Sequence, residues 1–533
     1  MTAMTVNLQR KPSNALVLAL ISIPIFIGAL DLTVVSAVLP HVIYDLEIPV
    51  QTNLDDAAWL VTGYLLAYSV AMTFMGRLSD LHGRRRVYLL ALLVFALGSY
   101  LVAVGEGWPT RWLQRGLYLL LRQRSDPARI ALHVLIAARM IQAFGGGAMV
   151  PVGMAMVGDL YPEGKRARPL GVIAAVDTAG WVVGHLYGGI IVRYYDWQTI
   201  FWINLPVCAL AFMLIWSALR HLEADSQDGR MDWLGTGLIA LSLTTLNLGL
   251  GTRVASSGSL QNGQGSGLPD YAAPMLAGAC VLFGLFIWRQ ARARWPLVPL
   301  GLFRRANYSS AGFANFLVGF SLFVAIANVP LFINTLVAPT LQQGAWDSGW
   351  MLSALTVPMA VAAIPGGWWA GKSGYRWPAM VGLVLSVIGF GFMSRWEMDT
   401  SYWVMAPHLT LTGVGFGLTL APLAAAVVDA VRARERGTAS AMVIIFRLVG
   451  MTLGVSAMTA YGLERADRLN SQLLKSGADL LEIARVGMRV AEQVVQETFI
   501  FAGMVCFLAV IPVWRIMNLV RKEESDGRAK PYE

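Results

Sequence analysis

Long apolar runs recur along this chain near residues 15–39, 57–76, 86–104, 131–157, 169–191, 199–219, 233–251, 273–290, 309–335, 349–371, 378–394, 403–428, 438–461 and 498–519. One helical crossing of a bilayer core takes about 20 predominantly apolar residues, with a range of roughly 17–25. Each run is therefore a candidate membrane span, and together they predict an all-α membrane protein of fourteen transmembrane helices. Composition agrees: 56% of residues are hydrophobic and 14% charged, against about 25% charged in ordinary soluble domains. A soluble enzyme is excluded. An even number of crossings puts both termini on one side.

The net charge of +9 does not indicate a nucleic-acid partner. Most of the 41 Lys and Arg residues fall in the loops on the side of the termini, among them Arg77, Arg84 to Arg86, Lys165, Arg166, Arg168, Arg289, Arg304, Arg305, Arg432, Arg434 and Arg436. Cytoplasmic loops are enriched in this way, so both termini are expected in the cytoplasm of a bacterial cell, with the chain multi-pass in the inner membrane. Cys208, Cys280 and Cys506 all sit in apolar runs, so neither a disulfide framework nor a metal site is expected. The first run is too long for the apolar region of a cleavable signal.

An internal repeat organises the runs. Gly76-Arg-Leu-Ser-Asp80-Leu-His-Gly83-Arg84-Arg85-Arg86 follows the second run, and Gly367-Trp-Trp-Ala-Gly-Lys-Ser-Gly374-Tyr-Arg376 follows the tenth. Gly76 matches Gly367, Gly83 matches Gly374, and Arg85 matches Arg376. The chain thus divides into a six-helix bundle over 1–220, a central helix pair with linkers over 221–305, and a second six-helix bundle over 306–533. Paired bundles flanking a path near the bilayer midplane are a common transporter architecture. Residues 255–270 read as a Gly/Ser-rich linker inside the central pair. Two segments on the far side break the pattern. An insertion over 106–130 is Arg-rich, and at about 100° per residue Arg111, Arg115 and Arg122 share one face of a helix, a candidate interfacial helix. Residues 463–496 read as an outer helical loop.

Four runs together resemble the signatures of the fourteen-helix drug–proton antiporters of the major facilitator superfamily. They are Leu30-Asp31-Leu-Thr33-Val-Val-Ser-Ala-Val-Leu39-Pro40, the Gly76 to Arg86 loop, Ala138-Arg139-Met-Ile-Gln142-Ala-Phe-Gly145-Gly146-Gly147-Ala148, and Phe201-Trp202-Ile203-Asn204-Leu205-Pro206. The resemblance implies a proton-coupled secondary transporter that exports lipophilic or cationic small molecules by alternating access. It implies no cofactor beyond the proton gradient, and leaves room for an adaptor protein on the periplasmic side. Alternatives are the same fold exporting a lipid, siderophore or metabolite, a proton-coupled importer, and, more remotely, a receptor or membrane enzyme. No HExxH run is present. Where this family carries Gly-Pro-x-x-Gly-Gly in its fifth helix, this chain reads Gly184-His185-Leu-Tyr-Gly188-Gly189, with His in place of the proline.

Charges within membrane helices are costly and commonly face a cavity, which narrows the site. Asp31 is the first proton-site candidate, with Arg139 as its cation. Asp177 could carry a proton or meet a cationic substrate, and His185 could extend a proton path; structural hydrogen bonding is the competing reading for all three. Gln142, Trp181, Asn204 and Arg447 are candidate cavity residues, Asn204 having helix capping as its alternative and Arg447 no assigned partner. Gly76, Asp80, Gly83, Arg84, Gly367, Gly374 and Arg376 are expected at a gate. Gly180, Gly184, Gly188 and Gly189 offer the small-residue spacing that lets helices pack closely. Asp429 reads as a solvated helix-end residue.

Overall fold

The computed structural model describes residues 13–46, 50–121, 126–220, 229–251, 271–338, 340–473 and 480–517. They form sixteen α-helices: α1 (Asn14–Asp45), α2 (Val50–His82), α3 (Arg84–Ala103), α4 (Trp108–Leu121), α5 (Pro127–Leu160), α6 (Ala167–Tyr194), α7 (Gln198–Ala218), α8 (Trp233–Gly251), α9 (Ala272–Arg292), α10 (Ala306–Phe332), α11 (Leu341–Ser373), α12 (Arg376–Met393), α13 (Tyr402–Asp429), α14 (Arg436–Leu473), α15 (Leu480–Leu508) and α16 (Val510–Trp514). Short polar residues start several of them. Ser13 Oγ accepts from the Leu16 amide at α1, and Asp126 caps α5 ahead of Pro127, a residue whose missing N–H costs nothing in a first turn.

Among the described residues, twelve helices are long and apolar enough to cross a membrane. The fourteen expected from the sequence are thus not all met. The apolar stretch of α8, Trp233–Gly249, falls among the shorter ones, and α6 is not among the twelve. The first half comprises α1 to α7, with α4 outside the bundle, and the second comprises α10 to α16. Helices α8 and α9 pack on each other between the halves in sequence. Asp232 ties this pair together: it bonds the Gly235 amide, Gln290 Nε2 and the Arg289 guanidinium. The 255–270 linker lies outside the described residues.

The two halves meet along α6–α11 and α2–α14. Both seams depend on missing side chains at the repeat glycines. A methyl group built on Gly76 would lie 2.7 Å from the Gly437 carbonyl oxygen, and one on Gly367 would lie 2.3 Å from that of Ala167. Gly83 and Gly374 have φ of 91° and 84°, a region open to glycine at little steric cost. Each turns the chain directly into the next helix, α3 or α12.

The segment over 463–496 is helical in its described residues. Its residues continue α14 and α15, apart from 474–479, which lie outside the described residues. At 1.5 Å rise per residue, the 38 residues of α14 extend about 57 Å, against a bilayer core of about 30 Å. Helices α14 and α15 therefore project beyond the membrane opposite the termini. Glu497 holds them together by accepting from Tyr461 Oη at 2.6 Å and from Arg465 at 3.0 Å.

Candidate functional site: two buried ion pairs and a closed gate

Three polar layers lie along the axis of the bundle pair. The first is inside the first half. Asp31 on α1 is fully buried, and Arg139 on α5 is 2% exposed. Arg139 Nη1 donates to Asp31 Oδ2 at 2.6 Å and to Gln142 Oε1 at 2.6 Å, and Nη2 reaches the Asp31 carbonyl at 3.2 Å. Gln142 Nε2 in turn donates to Asp31 Oδ1 at 3.0 Å and to Ser99 Oγ at 2.7 Å. Asn204 Nδ2 completes the ring with long contacts to the same two acceptors. The Arg139 guanidinium also lies 4.1 Å from the Tyr64 ring centroid, within cation–π range. Asn204 is buried in the interior of α7, so it does not cap that helix.

The second layer joins the halves. Arg447 on α14 donates to Asp177 on α6 at 3.4 Å, which supplies the partner the sequence left open for Arg447. The pair lines a small pocket whose other walls are largely aliphatic: Val150, Met154, Leu170, Ile173, Leu420 and Val443. Asn315 on α10 also lines it. Asp177 Oδ1, Asn315 Nδ2 and Arg447 Nε are buried and make no hydrogen bond among the described residues. Trp181 is half-buried on α6, where its carbonyl accepts from Thr33 Oγ1 at 3.0 Å. The side chain of His185 lies outside the described residues.

The third layer is the gate on the side of the termini. Asp80 is fully buried at its side chain and pairs with Arg84. It also crosses to the second half, accepting from the Gly437 amide at 3.0 Å, the Thr438 amide at 2.9 Å and Thr438 Oγ1 at 2.8 Å. One carboxylate thus caps the start of α14, where unpaired amides and the helix dipole favour negative charge. Arg84 adds Asp159 at 3.2 Å and the Ala433 carbonyl at 3.1 Å. Two reciprocal ion pairs flank this lock: Arg436 with Asp159 at 2.8 Å, and Arg166 with Asp429 at 2.5 Å. Each joins the first turn of α14 or the residue capping α6 to the end of the opposite half's α5 or α13.

Asp429 is therefore not a solvated helix end. Its carboxylate is buried between Arg166 and the Tyr375 hydroxyl. Burial pushes the Tyr375 hydroxyl far above its ordinary range, and the nearby Asp429 charge adds to the shift, so it stays protonated as a donor. Asp429→Ala is expected to strand Arg166 in a buried site and destabilise the fold by about 3 kcal/mol or more, read as a lowered Tm in detergent.

Arg376, expected at the gate, lies elsewhere. Its guanidinium stacks 3.5 Å from the Trp514 ring centroid on α16. Its repeat mate Arg85 sits 4.7 Å from the Trp216 ring centroid and donates to the Trp216 carbonyl. Both arginines clamp helix ends within their own half. Of the fifth-helix glycines, Gly180 and Gly184 press α6 onto α1: added methyl groups would meet Phe26 O at 2.7 Å and Leu30 O at 2.5 Å. Gly188 is buried, whereas Gly189 is exposed and faces open space, so it makes no packing seam. Despite its glycines, α6 runs unbroken from Ala167 to Tyr194, with Pro169 in its first turn and no proline beyond it.

Two helical bundles, a pocket between them and a lock on one face are the architecture of a membrane transporter. A family model described as Major Facilitator Superfamily matches residues 21–336 and 311–532. The chain belongs to the major facilitator superfamily. It is a transporter, not an enzyme. A triacylglyceride transporter of Mycobacterium tuberculosis is 32% identical over 525 residues, covering 95% of this chain and 94% of that protein. One from Mycolicibacterium smegmatis is 28% identical over 513 residues, covering 92% and 85%. Among solved structures, the proton:xylose symporter XylE aligns with a TM-score of 0.60 at 14% identity, over 94% of this chain and 95% of that one. The human organic anion transporter MFSD10 aligns with a TM-score of 0.59 at 15% identity, over 94% and 100%. The narrower likeness to fourteen-helix drug antiporters is not what these relatives display.

Proposed function

We propose that this protein exports an uncharged, lipid-like molecule across a bacterial membrane, using a proton gradient. The observation that carries this reading is the 32% identity, over nearly the full length of both proteins, to a triacylglyceride transporter. The cavity supports it. Its walls are aliphatic, and its one acid, Asp177, already faces Arg447. A cationic drug would have to compete with a tethered guanidinium for that carboxylate. An ester-bearing apolar molecule needs only the aliphatic walls and a few donors such as Asn315 Nδ2. The lipid alternative is thus favoured over multidrug efflux.

The proton steps follow from the two pairs. Asp177 belongs to the first half and Arg447 to the second, so protonating Asp177 cancels the attraction between them and cuts a tie across the cavity. Asp31 and Arg139 lie within one half. A proton on Asp31 would free the guanidinium to shift among Gln142, the Asp31 carbonyl and the Tyr64 ring without separating the halves. In this reading the proton that switches the conformation binds Asp177, and Asp31 responds to the proton supply within the first half. The face of the termini, closed in this structure by Asp80, Asp159 and Asp429, is the cytoplasmic face by its excess of Lys and Arg.

The test is flux in proteoliposomes under an imposed pH gradient, comparing a fluorescent triacylglyceride with a lipophilic cation such as ethidium. The reading expects gradient-dependent movement of the acylglycerol and little movement of the cation. Efficient movement of the cation alone would restore the drug-export reading.

A further inference from the structure

Helix α4 has no counterpart in the second half of the chain and takes no part in the cavity or the gate. It begins at Trp108, little more than one turn beyond the end of the membrane-spanning α3 at Ala103, on the side opposite the termini. The helix presents two faces and a cationic edge. At about 100° per residue, Thr110 and Gln114 point the same way. That face rests on the protein: Thr110 is buried and donates to the Gly105 carbonyl at 2.6 Å, and the helix packs on α5. Trp108, Trp112 and Leu119 fall within roughly 40° of one another on the opposite side and are 54%, 73% and 79% exposed. Arg111 and Arg115 border this stripe along one edge, about 60° and 20° from Trp108. Both are exposed, and neither makes an ion pair among the described residues.

We propose that α4 is a headgroup-level helix that binds anionic phospholipid in the leaflet opposite the termini. Two indoles and a leucine aligned in one narrow stripe are poorly placed in water, and tryptophan favours the boundary between acyl chains and headgroups. The neighbouring edge of unpaired guanidinium groups sits where phosphates would meet it, and a helix with an apolar stripe bordered by cations lies in the interface plane. The start of α4 next to the end of a membrane span places it at that boundary. Through α5, which carries Arg139, such an anchor would fix the outer end of the first half in the leaflet.

Full-length protein in vesicles tests this. Cys208 and Cys506 are buried and Cys280 is exposed, so Cys280→Ser gives a background for labelling. A nitroxide at Trp112→Cys is expected to collide with oxygen more than with a water-soluble nickel reagent. One at Arg115→Cys is expected at headgroup depth. The cationic stripe is tested by Arg111→Gln with Arg115→Gln, comparing retained phosphatidylglycerol with retained phosphatidylcholine by native mass spectrometry. Preference for phosphatidylglycerol should fall by about 25-fold, roughly fivefold per arginine. Water-accessible labels at both positions would overturn the proposal and leave the face for a soluble acidic partner. An unchanged lipid preference in the double variant would overturn it as well.

Discussion

Replacing Arg139 with leucine is expected to be among the most damaging single changes in the protein. Asp31 would keep its place at full burial with Gln142 and Asn204 as its remaining side-chain partners, and both donate through neutral amides. Breaking a buried ion pair by removing one member destabilises by about 3–5 kcal/mol, because the other charge is left without compensation. The Arg139 side chain also fills the space beside Tyr64 and Phe201, so truncation adds a packing loss. Asp31→Asn in the same chain should recover most of the stability, since the stranded charge is gone. The double variant should nevertheless fail to couple transport to a proton gradient. Thermal unfolding in detergent reads the first result, and proteoliposome flux reads the second. If the double variant were as unstable as Arg139→Leu alone, the pair's charge would not be the cause.

Asp80→Ala is expected to shift the conformational equilibrium further than any other change at the gate. It removes two backbone caps and one hydroxyl contact that exist only while α2 and α14 are in contact, together with a local ion pair to Arg84. A lost helix cap and lost charge-assisted bonds together amount to about 2–4 kcal/mol, roughly a 30- to 1,000-fold change in the population ratio. Arg84 retains Asp159 and the Ala433 carbonyl, and the Arg166–Asp429 pair survives, so the gate should loosen rather than disappear. Spin-label distances between the terminal-side ends of α2 and α14 should broaden and lengthen. An unchanged distance distribution would show that the flanking pairs alone hold the face shut.

Much of this architecture was legible in the sequence, because the membrane restricts what a long apolar run can be. The repeat was legible for a second reason: Gly76, Gly83, Gly367 and Gly374 each occupy a position where a side chain would clash or a positive φ is required, so the same spacing recurs in both halves. Asp31, Arg139 and Gln142 stood out as polar residues within apolar runs. The Asp177–Arg447 pair did not, since its members lie 270 residues apart and meet only when the halves dock. Asp429 was misread for the same reason: at the end of an apolar run it looks solvated, and its burial comes from Arg166 and Tyr375 in other parts of the chain. Arg376 shares its spacing with Arg85, but spacing cannot reveal that an aromatic helix end, Trp514 or Trp216, waits beside each. The helical spacing of residues 463–496 is legible in the sequence, but not that these helices continue the spans α14 and α15 without a break at the membrane edge. Cargo was the least legible feature. The motifs describe the gate and the helix packing, and none of them includes the aliphatic pocket walls Val150, Met154, Leu170, Ile173, Leu420 and Val443.

We propose that proton binding at Asp177 releases a tie between the halves and so drives lipid export. It is tested most directly by acylglycerol flux in proteoliposomes carrying Asp177→Asn, measured with and without a pH gradient. Asp177→Asn is expected to fold and bind, yet to move its cargo at the same low rate whether or not the gradient is present. Gradient-driven flux undiminished in Asp177→Asn would contradict it.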